Sequence, residues 1–147
     1  MNHERFAWRS DAGPPPGTVF FLVLATVIGG AILLVQLYPF DFASDASAPF
    51  LGLVYGGVGS VLGHAVLFVP LGVVEAALAR RFMGRSGPLV LLVVTIDAVL
   101  LGLICEAGQH WLPARSSSMI DLCANTIGAV AGYLVLTTCF DGGRVAP

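Results

Sequence analysis

Polar residues that could bind a ligand or transfer a proton are concentrated in one short segment of a strongly apolar chain. These residues are Glu106, Gln109, Arg115, Asp121 and Asn125. A carboxylate can accept or donate a proton, an arginine can hold a phosphate or a carboxylate, and amides supply hydrogen bonds. Because 56% of the chain is apolar and only 11% is charged, such groups are costly unless they have partners or a function. We therefore expect the functional site within Glu106–Gly132.

The composition indicates an integral membrane protein. The chain has 147 residues and a mean hydropathy of +0.88, and its seven Lys and Arg against nine Asp and Glu argue against a nucleic-acid partner. The hydrocarbon core of a membrane is about 30 Å thick and takes roughly 20 helical residues to cross. Four windows reach that length: Thr18–Tyr38, Gly52–Ala79, Pro88–Trp111 and Ser118–Phe140. We predict an all-α integral membrane bundle of four transmembrane helices over residues 18–140, with tails at 1–17 and 141–147.

The arginines of the connecting segments predict how the bundle is oriented, because short cytoplasmic loops collect Lys and Arg. The first tail and the loop between the second and third helices carry arginines, and Arg144 follows the fourth helix. The loop between the first and second helices carries Asp41 and Asp45 and no basic residue. Both termini are therefore predicted to be cytoplasmic. The loop with Arg115 is predicted to lie outside, where this arginine would need an acidic partner.

The third predicted helix carries a polar stripe near its outer end. Gln109 and His110 follow Glu106 by three and four residues, so all three side chains share one face. We expect Gln109 and His110 to lie at the level of the lipid head groups. Glu106 is roughly 7 to 8 Å deeper, and we expect it to bind Arg115.

The fourth predicted helix presents a polar residue pattern that continues into glycines. Ser118 and Asp121 form an S-x-x-D pattern that can cap the helix start, so Asp121 is explained either by capping or by a ligand. Asn125, Gly128 and Gly132 follow on the same face, and the glycine pair allows a neighbouring helix to approach closely. This face is predicted to point into the bundle.

Two further polar residues lie deep in the predicted helices. From helix rise alone, His64 and Asp97 differ in depth by only about 3 Å, which predicts an intramembrane pair near the midplane. Alternatively, His64 is a neutral histidine bonded to the backbone of the bundle. A metal site from Glu106, His110 and Asp121 lacks the tight His/Cys spacing of known metal motifs, so we predict neither a metal nor a cofactor.

Five sequence blocks together resemble the VanZ-like family. They are LYPFD at Leu37–Asp41, GHAVLFVPLG at Gly63–Gly72, E-x-x-Q at Glu106–Gln109, R-x-x-x-x-x-D at Arg115–Asp121, and NTIGAVAG at Asn125–Gly132. Where this chain has His64, many members carry Asn. The resemblance implies a small multi-pass protein of the bacterial cytoplasmic membrane, in a family whose namesake is associated with low-level resistance to teicoplanin. The site residues that it implies are Asp41, Glu106, Gln109, Arg115, Asp121 and Asn125.

Three functions remain open at this point, and the sequence leaves undecided whether the protein is an enzyme. The leading hypothesis is an outward-facing site in which Arg115 binds an anionic group of a membrane lipid or envelope precursor. The second is an intramembrane enzyme that acts on a lipid-linked substrate, with Glu106 or Asp121 as general acid or base. The third is a structural subunit that packs against a partner membrane protein through the Gly-rich faces of the second and fourth helices.

Overall fold

A computed structural model of the protein describes residues 13–43, 49–83 and 87–141, and every regular element in these ranges is a helix. The helices are α1 (Thr18–Leu37), α2 (Val58–Met83), α3 (Pro88–Gln109) and α4 (Met119–Asp141). Each is long and apolar enough to span a membrane. The prediction of an all-α bundle with four membrane-spanning helices is confirmed.

Local backbone chemistry sets where the helices start. The Gly17 φ of 77° precedes α1, and Pro88 opens α3 after Gly87, a position where the missing proline N–H costs nothing. The second helix was predicted from Gly52, but it begins six residues later, after Gly57 with a φ of 95°. The intervening backbone bonds to the start of α4 instead: Met119 N–H donates to Gly52 O, at 3.1 Å.

Glycines bring α2 and α4 into direct backbone contact. A Cβ on Gly128 would overlap the carbonyl of Ala65, and a Cβ on Gly132 would overlap that of Val69. Gly72 faces the Ala129 carbonyl in the same way from the α2 side. The inward orientation predicted for this face of α4 is confirmed, and these glycines pack the two helices against each other within the chain.

The four helices are buried to different extents. Half of the α4 membrane window is buried inside the protein, against 11% for α1. The α4 window also has the lowest mean hydropathy of the four, 1.6, because this helix carries polar side chains into the interior. We call the end of the bundle where α1 and α3 finish and α2 and α4 begin the site end.

Candidate functional site

All four helices contribute polar side chains to one buried cluster near the site end. We call this set the polar cluster: Gln36 from α1, His64 from α2, Glu106 and Gln109 from α3, and Asp121 and Asn125 from α4. None of the six is more than 9% exposed, and Glu106 and Asn125 are fully buried. Sequence positions far apart in the chain therefore meet in one site.

Amide side chains connect α3 to α1 and then to the imidazole of α2. Gln109 Nε2 donates to Gln36 Oε1 at 2.8 Å and to the Gln36 carbonyl at 3.3 Å. This fixes the Gln36 amide with its nitrogen 3.0 Å from His64 Nδ1. Gln109 was expected at head-group level, but it is 2% exposed, because the amide of Gln36 replaces the water that it would otherwise bind.

The histidine at the centre of the cluster contacts α4 through both ring nitrogens. Nδ1 lies 3.3 Å from Asn125 Oδ1, and Nε2 lies 3.8 Å from Asp121 Oδ2. Since Gln36 presents an amide nitrogen to Nδ1 and Asn125 presents an amide oxygen, Nδ1 has a partner whether or not it carries the ring proton. Nε2 can therefore either donate to Asp121 or offer a lone pair.

Glu106 caps α4 from the neighbouring helix. Its Oε2 accepts a hydrogen bond of 2.6 Å from the Ser118 N–H, while Ser118 Oγ accepts from the N–H groups of Ile120 and Asp121, at 3.2 and 3.4 Å. In the sequence-predicted S-x-x-D cap, Asp121 was the acidic member. The carboxylate of Glu106 takes that position at the positive end of the helix dipole, and the Asp121 carboxylate is left to face His64.

Three buried polar atoms of the cluster have no hydrogen-bond partner among the described residues. They are Glu106 Oε1, Asp121 Oδ1 and Asn125 Nδ2. Such atoms are rare in native proteins, because an unpaired buried polar group carries its full desolvation cost. Their concentration in one cluster marks the place where something additional can bind.

A cavity of about 290 Å³ lies beside the cluster, between α1 and α2. Its walls are Val35 and Gln36 of α1, Gly59, Ser60, Gly63, His64 and Leu67 of α2, and Arg115 of the α3–α4 loop. The glycines leave this space open, since a Cβ on Gly59 or Gly63 would have no neighbour within 4 Å. The cavity has an apolar side and a polar floor.

Arg115 does not form the predicted bonds to Glu106 and Asp121. Its side chain is exposed and lines the cavity instead, and in the part of the chain that the structure describes the ion pair of Asp121 is with His64. Glu106 instead accepts the Ser118 N–H through Oε2, at 2.6 Å. Arg115 thus keeps its guanidinium available at the edge of the cavity.

The predicted pair of His64 and Asp97 is not formed. The described contacts of the imidazole go to Gln36, Asn125 and Asp121, and Asp97 is exposed on α3. Because α2 begins at Val58, His64 lies about 9 Å below the helix start, whereas Asp97 lies about 18 Å below the end of α3. The depth predicted for His64 assumed that α2 starts at Gly52, six residues too early. Helix rise also does not determine toward which neighbouring helix a side chain points.

Two other candidates lie outside the polar cluster. Asp41 is exposed on the segment that follows α1. The His110 ring packs edge-on against Phe50 and Trp111, with centroids 5.6 and 5.4 Å away. The histidine that approaches Glu106 and Asp121 is His64, not His110.

Neither Gln36 nor the bonds of Ser117 and Ser118 to the segment before α2 were predicted from the sequence. A single glutamine in an otherwise apolar helix, one residue before the LYPFD block, was the available signal for Gln36. Ser117 and Ser118 are 1% exposed. Their hydroxyls bind the segment before α2: Leu51 N–H donates to Ser117 Oγ at 3.1 Å, and Ser118 Oγ donates to the Val54 carbonyl at 2.7 Å.

Comparison with known proteins identifies a family. A protein-family model described as VanZ/LLP1 matches residues 17–140. The match includes the whole polar cluster and all four helices, except the last residue of α4. No curated protein and no solved structure matches the chain significantly.

Proposed function

The chain belongs to the VanZ/LLP1 family, and from this premise we propose that it binds the anionic head group of a membrane lipid or lipid-linked envelope precursor. The binding site is the cavity between α1 and α2. The observation that supports this proposal most directly is the composition of the cavity wall, where an exposed arginine and a polar floor adjoin apolar side chains.

The position of the cavity suits a ligand that arrives from the lipid. Val35 is 58% exposed on α1, and Leu62 and Val66 on α2 are 58% and 67% exposed. In a membrane these side chains contact acyl chains. A lipid tail can therefore lie along α1 and α2 while its head group enters between them.

The charge at the mouth selects an anion. The guanidinium of Arg115 offers several donors in a plane, which matches the oxygens of a phosphate or carboxylate. Gln36 and His64, at the polar floor, supply further hydrogen-bonding groups. This arrangement retains the role first expected for Arg115 but moves its acidic neighbours out of direct contact.

The cavity volume limits how much of the ligand is enclosed. About 290 Å³ holds roughly ten water molecules at about 30 Å³ each, which is enough for a phosphate and a small substituent. A complete saccharide or peptide precursor would extend beyond it. The recognised feature is therefore the charged group next to the lipid tail.

Binding can be tested with the purified protein in detergent. Native mass spectrometry should detect a complex with dioctanoyl phosphatidic acid but not with the uncharged dioctanoylglycerol. Arg115→Gln should weaken this complex by about 10- to 100-fold, because a charge-assisted hydrogen bond contributes about 1.5–3 kcal/mol. Arg81→Gln, which removes an arginine at the opposite end of the bundle, is the charge-matched control, and its Tm must equal that of the parent, because Arg81 also contacts Pro16 and Phe21 of the α1 segment. Equal binding by the parent and Arg115→Gln would contradict the proposal.

A substitution that fills the cavity without changing the charge of the protein provides a second test of lipid binding. Gly63→Leu places a side chain in the cavity that this glycine lines, and it should reduce lipid binding. Gly30→Leu on α1 is its control, since a Cβ there also meets no atom within 4 Å and Gly30 does not line this cavity. Displacement of the lipid by inorganic phosphate at comparable concentration would identify a free anion, rather than a lipid, as the ligand.

The proposal extends to glycopeptide resistance through the family resemblance. If the bound head group belongs to an envelope precursor, expression of this chain in a teicoplanin-sensitive host should raise the minimal inhibitory concentration of teicoplanin. Arg115→Gln should remove that increase while Arg81→Gln retains it. An unchanged inhibitory concentration with the parent chain would limit the proposal to lipid binding.

An intramembrane enzyme is the second candidate function. The observation that favours it is the pair of carboxylate oxygens without hydrogen-bond partners, Glu106 Oε1 and Asp121 Oδ1, next to the His64 imidazole. Such groups can transfer protons to or from a substrate. Product formation from a lipid phosphate by the purified protein, abolished in the folded Glu106→Gln variant, would support this function over binding alone.

A further inference from the structure

Three metal-ligating side chains from three helices converge inside the polar cluster. The imidazole of His64 and the carboxylates of Glu106 and Asp121 each offer one ligand atom, and these atoms all lie within 4.8 Å of one another. Their helices, α2, α3 and α4, are held together by the glycine contacts and the Glu106 cap. From this juxtaposition we propose that the three side chains form a binding site for a divalent transition-metal cation, Zn²⁺ by preference.

The charge balance of the cluster calls for a cation. Two carboxylates lie in the interior of an apolar bundle, and the one described ion pair available to them is with His64. Buried carboxylates in a membrane protein need a counter-charge or a bound proton. A divalent ion between them would neutralise both at once.

The unpartnered atoms are the second observation that points to a ligand. Glu106 is fully buried and uses only Oε2 in capping α4, so Oε1 remains without a partner in the described structure. Asp121 Oδ1 also has no hydrogen-bond partner among the described residues. A metal bond would satisfy these two buried oxygens.

The surroundings of His64 meet the requirement for a metal-bound imidazole. Such a ring normally donates its second N–H to a nearby oxygen, which fixes the tautomer. Asn125 Oδ1 lies 3.3 Å from Nδ1, so Nδ1 can donate its proton there and leave the Nε2 lone pair for a metal. The Gln36 amide, whose nitrogen lies 3.0 Å from Nδ1, would then have to turn its oxygen toward the ring. Nε2 is already the nitrogen directed at Asp121.

The ligand types and number select the metal. Imidazole favours Zn²⁺ and its transition-metal neighbours over Mg²⁺ or Ca²⁺, which bind all-oxygen sites. Zn²⁺ bonds of about 2.0–2.2 Å place tetrahedral ligand atoms about 3.4 Å apart, so small side-chain rotations would close the present spacing. Three protein ligands leave a fourth position for water or a ligand oxygen.

The proposed metal site is distinct from the proposed lipid site, although His64 contributes to both. Arg115 carries the binding of the head group, and it does not approach Glu106 or Asp121. Loss of one site therefore need not remove the other. Arg115→Gln should retain the metal and lose the lipid, which separates failure of this inference from failure of the proposed function.

The test measures bound metal in the full chain, purified in detergent with a histidine-free tag. After treatment with a chelator and titration with Zn²⁺, elemental analysis of the desalted protein should find one Zn²⁺ per chain. Glu106→Gln and Asp121→Asn should each weaken Zn²⁺ binding by more than the 10- to 100-fold that loss of an outer-shell partner causes. Asn125→Leu should fall within about that 10- to 100-fold range. His110→Gln and Asp97→Asn, outside the cluster, should bind Zn²⁺ like the parent.

A stability measurement keeps the inference testable if a ligand variant fails to fold. Zn²⁺ should raise the Tm of the parent protein in a concentration-dependent way, because it binds the folded state, and Mg²⁺ at the same concentration should not. X-ray absorption at the zinc edge should show nitrogen and oxygen ligands that include one imidazole. Absence of stoichiometric Zn²⁺ from the parent, or equal binding by folded Glu106→Gln and Asp121→Asn, would overturn the inference and leave protons as the counter-charge.

Discussion

At the scale of single residues, the acids at the end of α3 and at the start of α4, Glu106 and Asp121, do not have the roles that their positions suggest. Asp121 lies in the first turn of α4, where an acid normally caps the helix, yet the capping carboxylate is that of Glu106 from α3, alongside the Ser118 hydroxyl. The Glu106 cap joins two helices by one hydrogen bond to a buried N–H. It also directs the Asp121 carboxylate toward His64, which creates the polar cluster.

The contribution of Glu106 to stability can be measured by comparing two substitutions. Glu106→Ala leaves the buried Ser118 N–H without an acceptor and should lower the free energy of unfolding by about 1–3 kcal/mol, beyond the cost of lost packing. Glu106→Gln keeps an acceptor oxygen and should be the less destabilising of the two. Thermal unfolding in detergent, followed by circular dichroism, gives both values.

Cys123→Ala on the exposed side of α4 is the control for that comparison, and it should unfold close to the parent. If Glu106→Ala unfolded at the same temperature as Glu106→Gln, capping by the carboxylate would not contribute to stability.

At the scale of secondary-structure elements, the close approach of α2 and α4 determines which residues can meet. Gly72, Gly128 and Gly132 remove the side chains that would separate the two helices. His64 on α2 lies one residue before Ala65, whose carbonyl faces Gly128. Asn125 and Asp121 precede Gly128 by about one and two turns of α4. The glycine contact therefore places His64 at their level.

A side chain at Gly128 should disrupt this contact. Gly128→Val would force its Cβ against the Ala65 backbone, which cannot move without shifting α2, so we expect a loss of about 3 kcal/mol or more, typical of severe overpacking. Gly30→Val on α1 meets no atom within 4 Å at Cβ and should leave the bundle folded. Gel filtration and thermal unfolding in detergent distinguish these outcomes.

His64 provides a local readout for the same pair of variants. In Gly128→Val its bonds to Asn125 and Asp121 should be lost, so Zn²⁺ binding at the proposed site should decrease together with stability. A folded, fully stable Gly128→Val protein would contradict the close backbone contact of α2 and α4.

At the scale of the whole molecule, the protein combines a well-packed helix pair with a loosely held first helix. α1 buries only Thr18, Ile32 and Gln36. Near the site end, Gln36 attaches it to His64 and Gln109 through amide hydrogen bonds. At the other end, Arg81 of α2 donates to the Pro16 carbonyl and lies 4.5 Å from the centre of the Phe21 ring. This leaves a lateral opening between α1 and α2 where the cavity is found.

The orientation of the bundle remains a prediction from its arginines, and thiol labelling can test it. In a variant whose three cysteines are replaced by alanine, Asp41→Cys introduces one thiol at an exposed position near the site end. A membrane-impermeant maleimide added to intact cells should label it. Arg81→Cys, at the opposite end, should react only after the cells are opened. The reverse labelling pattern would place the polar cluster on the cytoplasmic side.

Much of this architecture could be predicted from the sequence. The lengths of the apolar runs determined the four helices, because a membrane requires about 20 apolar residues for each crossing. The period of Asp121, Asn125, Gly128 and Gly132 determined which face of α4 is buried, since residues at these spacings lie on one side of a helix. The family blocks identified most members of the polar cluster.

Only the tertiary structure decided which polar groups meet. Sequence spacing fixes neighbours within a helix, but contacts between helices depend on where each helix begins, on its rotation about its axis and on how closely the backbones approach. These quantities gave His64 the partners Gln36, Asn125 and Asp121 instead of Asp97. The same quantities made the Ser118 N–H, and not Arg115, the partner of Glu106. The start of α4 lies within reach of the Glu106 carboxylate, whereas Arg115 lies at the edge of the cavity.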